Sequence, residues 1–266
     1  MLSIKEALTM GSHDAILAHV LQVSRAYLHA HPELVLSPDQ YAHWQKLSSE
    51  YEKGKPLAYL LGKKEFWSLD LMVNENVLIP RPETELLVES VLAVFANQEN
   101  LTIADLGTGS GAIALALAFD KPGWKVYATD FSDKALVVAK KNAERLHLTN
   151  IHFVQGDWLH ALPNLTFDVI VSNPPYVSKD DPFLEKNVAD FEPQMALFSD
   201  NDGLQAIKTI IEESVNFLKP GGYLFVEHGF QQAERIRSIF AEVGYTDMTF
   251  LKDLNRLDRV GYARKP

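Results

Sequence analysis

Asn173-Pro174-Pro175-Tyr176 directly follows Asp168-Val169-Ile170-Val171-Ser172. That largely apolar run reads as a buried strand, which puts the four residues at its carboxyl end, where open α/β sheets bind ligands. Two prolines fix the backbone, so the Asn173 amide and the Pro174 carbonyl can aim at one point. A pair of acceptors suits a planar amide or amino nitrogen, which is a poor nucleophile because its lone pair is delocalised. As such a nitrogen attacks a methyl group it gains positive charge. Acceptors on its two N–H bonds hold the lone pair in line and stabilise that charge. A hydrogen bond to a charged group contributes about 1.5–3 kcal/mol, roughly a 10- to 150-fold rate factor if it forms only in the transition state. No general base is required, because the nitrogen becomes acidic once alkylated. Asn173, Pro174 and Tyr176 are therefore the catalytic candidates. All four residues are candidates for substrate contact, with the Tyr176 ring as a flat wall. The plainer alternative is a structural Pro-Pro turn after a strand.

A second segment supplies a cofactor site. Asp105-Leu106-Gly107-Thr108-Gly109-Ser110-Gly111 lies between a predicted strand and a helix, and the next strand ends in Asp130, 19 residues beyond Gly111. Glycines there let a ligand approach the backbone, and an acid at that distance can accept from both hydroxyls of a ribose. Gly107, Gly109 and Ala112 also satisfy the dinucleotide pattern, so NAD is a rival on this loop alone. Three features favour S-adenosylmethionine. Asp105 would repel a pyrophosphate but suits a sulfonium or ammonium. Gly156-Asp157-Trp158 offers an acid and an aromatic face for an adenine ring. The Asn-Pro-Pro-Tyr loop has no use in hydride transfer. Cofactor candidates are thus Asp105, Gly107, Thr108, Gly109, Ser110, Gly111, Asp130, Asp157, Trp158 and Asn173. Taken singly, Asp157 reads equally well as a helix cap and Trp158 as core.

The elements that must position these residues follow from periodicity. Strands are expected at 101–105, 124–129, 151–155, 167–172 and 222–227, and a closing antiparallel pair near 246–251 and 258–263. Helices are expected at 110–119, 133–146, 203–218 and 230–243. This alternation predicts an α/β, doubly wound, mainly parallel sheet covered by helices on both faces; joined to the S-adenosylmethionine reading above, the expectation is a seven-stranded class I methyltransferase sheet. Ahead of it, residues 1 to about 53 read as short helices with capping boxes at Ser3/Glu6 and Ser37/Gln40. Ile16, Leu17, Val20 and Leu21 form one apolar stripe, and Tyr41, Trp44, Leu47 and Tyr51 another. A β-hairpin from segments near Phe66–Leu71 and Asn76–Ile79 links the two parts. The expected division is 1–56 helical, 57–79 hairpin linker and 80–266 methyltransferase domain. Pro80-Arg81-Pro82 stiffens the chain before a helix from Thr84 and Glu85 to about Ala96. On residues alone this is a linker and a helix start. The alternative places Arg81 or Glu83 at the rim of the site, and Arg81 is kept as a candidate substrate contact.

The chain resembles the release factor glutamine methyltransferase family along essentially its full length. The matching segments include Tyr59-Leu60-Leu61-Gly62, Leu78-Ile79-Pro80-Arg81-Pro82-Glu83-Thr84-Glu85, Asp105 to Gly111, Asn173 to Tyr176, Phe191-Glu192-Pro193 and Glu227-His228-Gly229. The resemblance implies methylation, from S-adenosylmethionine, of the side-chain amide in the Gly-Gly-Gln tip of peptide-chain release factors. It implies that Gly107 to Gly111, Asp130, Trp158 and Asn173 contact the cofactor, and that Asn173 to Tyr176 hold the glutamine. The helical N-terminal domain would dock the release factor, and residues 179–203 would cover the site. Two stretches depart from the family pattern. Asp253-Leu254-Asn255-Arg256-Leu257-Asp258-Arg259 lacks the glycine of an Asp-x-x-Gly-x-x-Arg stretch, and Ser199-Asp200-Asn201 replaces a commonly Gly-containing turn.

Composition narrows the partners. With no cysteine, disulfides, thiol catalysis and Cys-ligated metals are excluded, and no metal is expected. The formal net charge is -10, which does not favour direct gripping of long nucleic acid. No run approaches membrane-spanning length, so a cytoplasmic monomer acting on a protein is the expectation. The rival readings are an adenine-N6 methyltransferase acting on a flipped base, a glutamine methyltransferase of a ribosomal protein, and a non-catalytic cofactor-binding scaffold.

Overall fold

The computed structural model describes residues 2–10 and 13–266; Met1, Gly11 and Ser12, within the stretch read as helical, lie outside the described residues. Both capping boxes form, at the starts of helices Ile4–Thr9 and Pro38–Glu52. These helices, with Asp14–Leu21, Arg25–Ala30 and Leu57–Leu61, bury Ile16, Leu17, Leu28 and Trp44 in a core of their own. Leu60 belongs to that core. The helical unit therefore runs past the expected boundary at 56 and ends at Gly62, a left-handed C-cap. Tyr51 departs from its stripe: it lies against the cleft between the domains, edge-on to His13.

The hairpin differs from expectation. Its strands are β1 (Lys63–Phe66) and β2 (Leu69–Met72), and they turn at Trp67 and Ser68, whose φ values are 52° and 58°. Positive φ at both central residues is the type I′ geometry that matches strand twist. The segment expected as one strand, 66–71, therefore contains the turn, and Asn76–Ile79 forms no strand. Asn142 fastens the hairpin to the large domain. Its Oδ1 accepts from Met72 N at 2.7 Å, and its Nδ2 donates to the carbonyls of Met72 and Ser110, both at 3.0 Å.

Seven further strands form one sheet: β3 (Thr102–Leu106), β4 (Lys125–Asp130), β5 (Ile151–Gln155), β6 (Phe167–Ser172), β7 (Leu218–Glu227), β8 (Thr246–Lys252) and β9 (Asp258–Arg264). Their order is β5-β4-β3-β6-β7-β9-β8, parallel except where β9 pairs with β7 and β8. Strand β7 starts four residues earlier than expected, and its preceding helix is shorter, Gln205–Ser214. The other helices of this domain, Glu85–Val94, Ala112–Asp120, Asp133–Arg145 and Ala233–Val243, fall close to their expected places. They pack on both sheet faces, with Ile103, Leu115 and Trp124 in one core layer and Ile170, Ile207 and Phe240 in the other. Buried on both sides, the central strands β3 and β6 are largely apolar, while the edge strand β5 carries exposed polar residues.

The order reverses between β3 and β6. Their registers align Asp105 with Val171 and Leu106 with Ser172, and Ser172 Oγ donates to the Leu106 carbonyl at 2.8 Å. The glycine loop and the Asn-Pro-Pro-Tyr loop thus leave the sheet side by side, where a doubly wound sheet opens its crevice.

Candidate active site

The crevice holds a cavity of about 300 Å³ lined by Gly107, Thr108, Gly109, Asp130, Trp158 and Asn173, together with Ser110, Asp157 and Pro175. Gly107 has φ +71°, and a Cβ there would stand 2.9 Å from the Trp158 ring. Any side chain would displace the wall. Trp158 itself has φ 40°, a left-handed backbone unusual for a bulky residue and of the kind that concentrates at functional sites. Asp157 begins a short 3-10 turn, Trp158–Ala161, without capping it, so its carboxylate is left for the cavity. Asp130 accepts from Gly109 N at 2.8 Å through Oδ2 and from Ser132 N at 2.9 Å through Oδ1. Burial still pushes its pKa up.

Two cofactor candidates lie outside the lining. Gly111 caps the helix Ala112–Asp120 and faces Leu115. Asp105 is fully buried beneath the loop. Its Oδ2 accepts from Thr108 Oγ1 at 2.6 Å and from Ala114 N at 3.2 Å, while Oδ1 has no partner among the described residues. Burial, aided by Asp130, pushes its pKa up to about 7 against those two hydrogen bonds. A buried acceptor without a donor is a site for a cation or an N–H group.

A second cavity of about 200 Å³ is lined by Leu78, Arg81, Asn173, Pro174, Tyr176 and Ala196. Asn173 lines both cavities and so stands between them. Its Nδ2 donates to Thr84 Oγ1 at 3.1 Å, and its Oδ1 makes no hydrogen bond among the described residues. The Pro174 carbonyl also receives none among them. Asn173 Oδ1 and the Pro174 carbonyl are thus two acceptors without partners among the described residues, on two residues that line the smaller cavity. Beyond them the loop is clamped. The Tyr176 carbonyl accepts from Gln232 Nε2 at 3.0 Å and lies so close to Gly203 (φ +81°) that a Cβ there would collide with it. Tyr176 Oη donates to Glu227 Oε1 at 3.1 Å.

Arg81 is at the rim rather than in a plain linker. It lines both cavities and the cleft between the domains, and its Nη2 meets Glu192 Oε1 at 2.6 Å. Glu192 is buried, and its Oε2 accepts from Ile79 N at 3.0 Å. Glu83 does not line the cavities. Sequence reasoning missed Thr84, Phe131 and Met195, which also line the larger cavity. Phe131 is 64% exposed and Met195 56%, an apolar mouth whose signal was only the position of Phe131 after the ribose-type acid. Among the described residues no helix is long and apolar enough to cross a membrane.

At the two departures the backbone keeps the turn. Arg256 occupies the position of the missing glycine with φ 63°, and Asn201 and Asp202 have φ 56° and 54°. Asp253 closes the first turn, accepting from Asn255 N, Leu257 N and the Arg259 guanidinium.

A family model described as a methyltransferase domain matches residues 97–251, and one described as the PrmC N-terminal domain matches residues 12–62. The chain is 46% identical to the release factor glutamine methyltransferase of Coxiella burnetii, with all of both chains covered. It is 42% identical to the enzyme of that name from Escherichia coli, covering 94% of this chain and 90% of the relative. Among solved structures, a methyltransferase from Pyrococcus furiosus is similar in fold, with a TM-score of 0.57 at 19% identity, covering 86% of this chain and 99% of that one.

Proposed function

This chain belongs to the release factor glutamine methyltransferase family, and from that premise and the paired acceptors we infer that it methylates the side-chain amide of a release-factor glutamine with S-adenosylmethionine. The observation that carries the reading is Asn173. It stands between two cavities, with its amide nitrogen tied to Thr84 and its carbonyl unclaimed.

The residues fit the cofactor. The Gly107 cradle admits backbone approach, Asp130 presents acceptors for a ribose, and Asp157 with Phe131 and Trp158 suits an adenine. The unpartnered Asp105 Oδ1 adds negative charge beneath a cationic group. When bound, S-adenosylmethionine supplies an electrophilic methyl group on a sulfonium. The chain's own contribution is to hold the acceptor nitrogen. Asn173 Oδ1 and the Pro174 carbonyl take its two N–H bonds, the Tyr176 ring walls the amide plane, and Pro174 with Pro175 keeps the acceptors from relaxing. Positive charge arriving on the nitrogen is met by two fixed dipoles, and one of its protons then passes to solvent. Arg81 faces the flanking backbone of the substrate. The helical domain docks the body of the release factor. The net charge of -10 supports a protein partner over long nucleic acid.

The test is radiolabelled methyl transfer to an unmethylated release factor, beside the same factor with its Gly-Gly-Gln glutamine replaced. Label on the first alone is expected. Label on neither, but on DNA, RNA or a ribosomal protein, would keep the catalytic loop and overturn the substrate.

A further inference from the structure

The loop from Asn173 to Tyr176 is held at two ends. At the first, Ser172 is fixed in strand β6, between Leu106 on one neighbour and Val226 on the other. At the second, Tyr176 lies outside any helix or strand. Its successor Val177 is stitched to a later segment, donating to the Leu197 carbonyl at 2.9 Å and accepting from Ser199 N at 3.0 Å. Between the ends, Pro174 and Pro175 lock two φ angles, so few torsions remain. Where the second end stands therefore decides where Asn173 Oδ1 and the Pro174 carbonyl lie.

One side chain claims that second end. Gln232 is buried at the start of the helix Ala233–Val243, which Ile236 and Phe240 anchor in the core. Its Nε2 donates to the Tyr176 carbonyl at 3.0 Å and to the Asp202 carbonyl at 3.2 Å, and its Oε1 accepts from Gly229 N at 2.9 Å. An N–H facing Oε1 and two carbonyls facing Nε2 admit only this orientation of the amide.

The turn that Gln232 grips is strained. Asn201, Asp202 and Gly203 have φ values of 56°, 54° and 81°, and only the last is glycine. Two non-glycine residues in the left-handed region cost energy that outside bonds must offset. Arg235, one turn along the same helix, adds an ion pair to Asp202 Oδ2 at 3.2 Å. At Gly203 a Cβ would collide with the Tyr176 carbonyl and stand 2.8 Å from Gln232 Nε2. Loop, turn and amide meet with no room for one added carbon.

We propose that Gln232 is a positioning residue for methyl transfer, pinning the Tyr176 end of the acceptor loop to a core helix and to the 199–203 turn, and so setting where the two acceptors meet the substrate nitrogen. This rests on the reaction read above. Gln232 lines neither cavity, so it acts through Tyr176.

The experiment compares Gln232→Glu and Gln232→Met with wild type, using the full chain and an unmethylated release factor. The readouts are kcat, KM, cofactor affinity by calorimetry, melting temperature, and amide hydrogen exchange without substrate. Glutamate keeps the shape and the acceptor for Gly229 N but sets a carboxylate against two carbonyls. Methionine keeps the length and makes none of the three bonds. Misplacing a positioned group by about 1 Å can cost ~100-fold, so kcat should fall roughly 10-fold or more in both variants. KM for the release factor should stay within about threefold, as for contacts made chiefly in the transition state. Tyr176 does not line the larger cavity, so the loss of cofactor affinity should be several-fold smaller than the loss of kcat. Exchange should quicken at Val177 and Ser199 and stay as in wild type at Val169 and Ile170. Wild-type kcat in either folded variant would overturn the proposal. So would an equal loss of cofactor affinity, or exchange that quickens throughout β6, the mark of a purely structural role. If Gln232→Glu does not fold, Gln232→Met decides. If wild type leaves the release factor unlabelled, the substrate reading falls, and the exchange pattern still decides whether Gln232 holds the loop.

Discussion

Asp105 ties stability to pH in a direction opposite to that of a paired surface carboxylate. Its pKa rises from an ordinary 3.8 to about 7, chiefly through burial. Between those values the folded chain keeps a proton that the unfolded chain has released. Stability from this group is therefore full below the unfolded value and is lost as pH rises through the folded one. A shift of that size is worth roughly 2–3 kcal/mol between about pH 5 and pH 8, an upper bound because neighbouring groups relax. Asp105→Asn isolates it. The amide oxygen can accept from Thr108 and Ala114, and the nitrogen takes the place of the unpartnered Oδ1. Urea denaturation at the two pH values should show wild type losing stability on the alkaline side and the variant losing less by about that amount. Cofactor affinity should fall in the variant. In wild type near neutral pH, binding a cation should release up to about half a proton, seen as a buffer-dependent calorimetric heat. Identical pH profiles for the two proteins would refute the reasoning.

Three further outcomes are expected. Asn173→Ala should lower kcat by roughly 10- to 150-fold while leaving cofactor affinity largely intact; turnover equal to wild type would sink the two-acceptor mechanism. Asn142→Ala strips partners from Met72 N, Met72 O and the Ser110 carbonyl, so denaturation should show a loss of about 2–4 kcal/mol. Arg256→Gly relieves a side chain held at φ 63° and should raise stability by roughly 0.5–1 kcal/mol in the same assay; a loss would mean that Arg256 makes a compensating contact.

The central strands were legible because a parallel strand covered on both faces is an uninterrupted apolar run that stops at the glycine or acid of its loop. The hairpin was misplaced because its left-handed turn is made by Trp67 and Ser68, which carry no turn signature. Asn76–Ile79 alternates like a strand, with Val77 and Ile79 buried. Its backbone, however, is satisfied by side chains: Tyr59 Oη donates to the Val77 carbonyl, and Glu192 accepts from Ile79 N. Nothing local distinguishes those partners from a neighbouring strand. Strand β7 was cut short because Pro220-Gly221-Gly222 reads as a turn; a register shift opposite Phe167 and Val169 lets the strand pass through it. At the site, the residues on two adjacent strand ends were readable from their motifs. Thr84, in a short 3-10 turn 89 residues before Asn173, was not assigned a role, since the bond between them depends on which segments become neighbours.

The bonds that close the acceptor site also impose an order on biosynthesis. Ile79 and Arg81 wait for Glu192, 113 and 111 residues later, and Asn173 reaches back 89 residues to Thr84. A chain leaving the ribosome N-terminus first can complete the helical unit, whose core ends at Leu60, while the segment behind it has nothing to bind. The wall shared by the two cavities is assembled only after most of the sheet has emerged, so a nascent fragment carries a finished helical unit and an unfinished crevice.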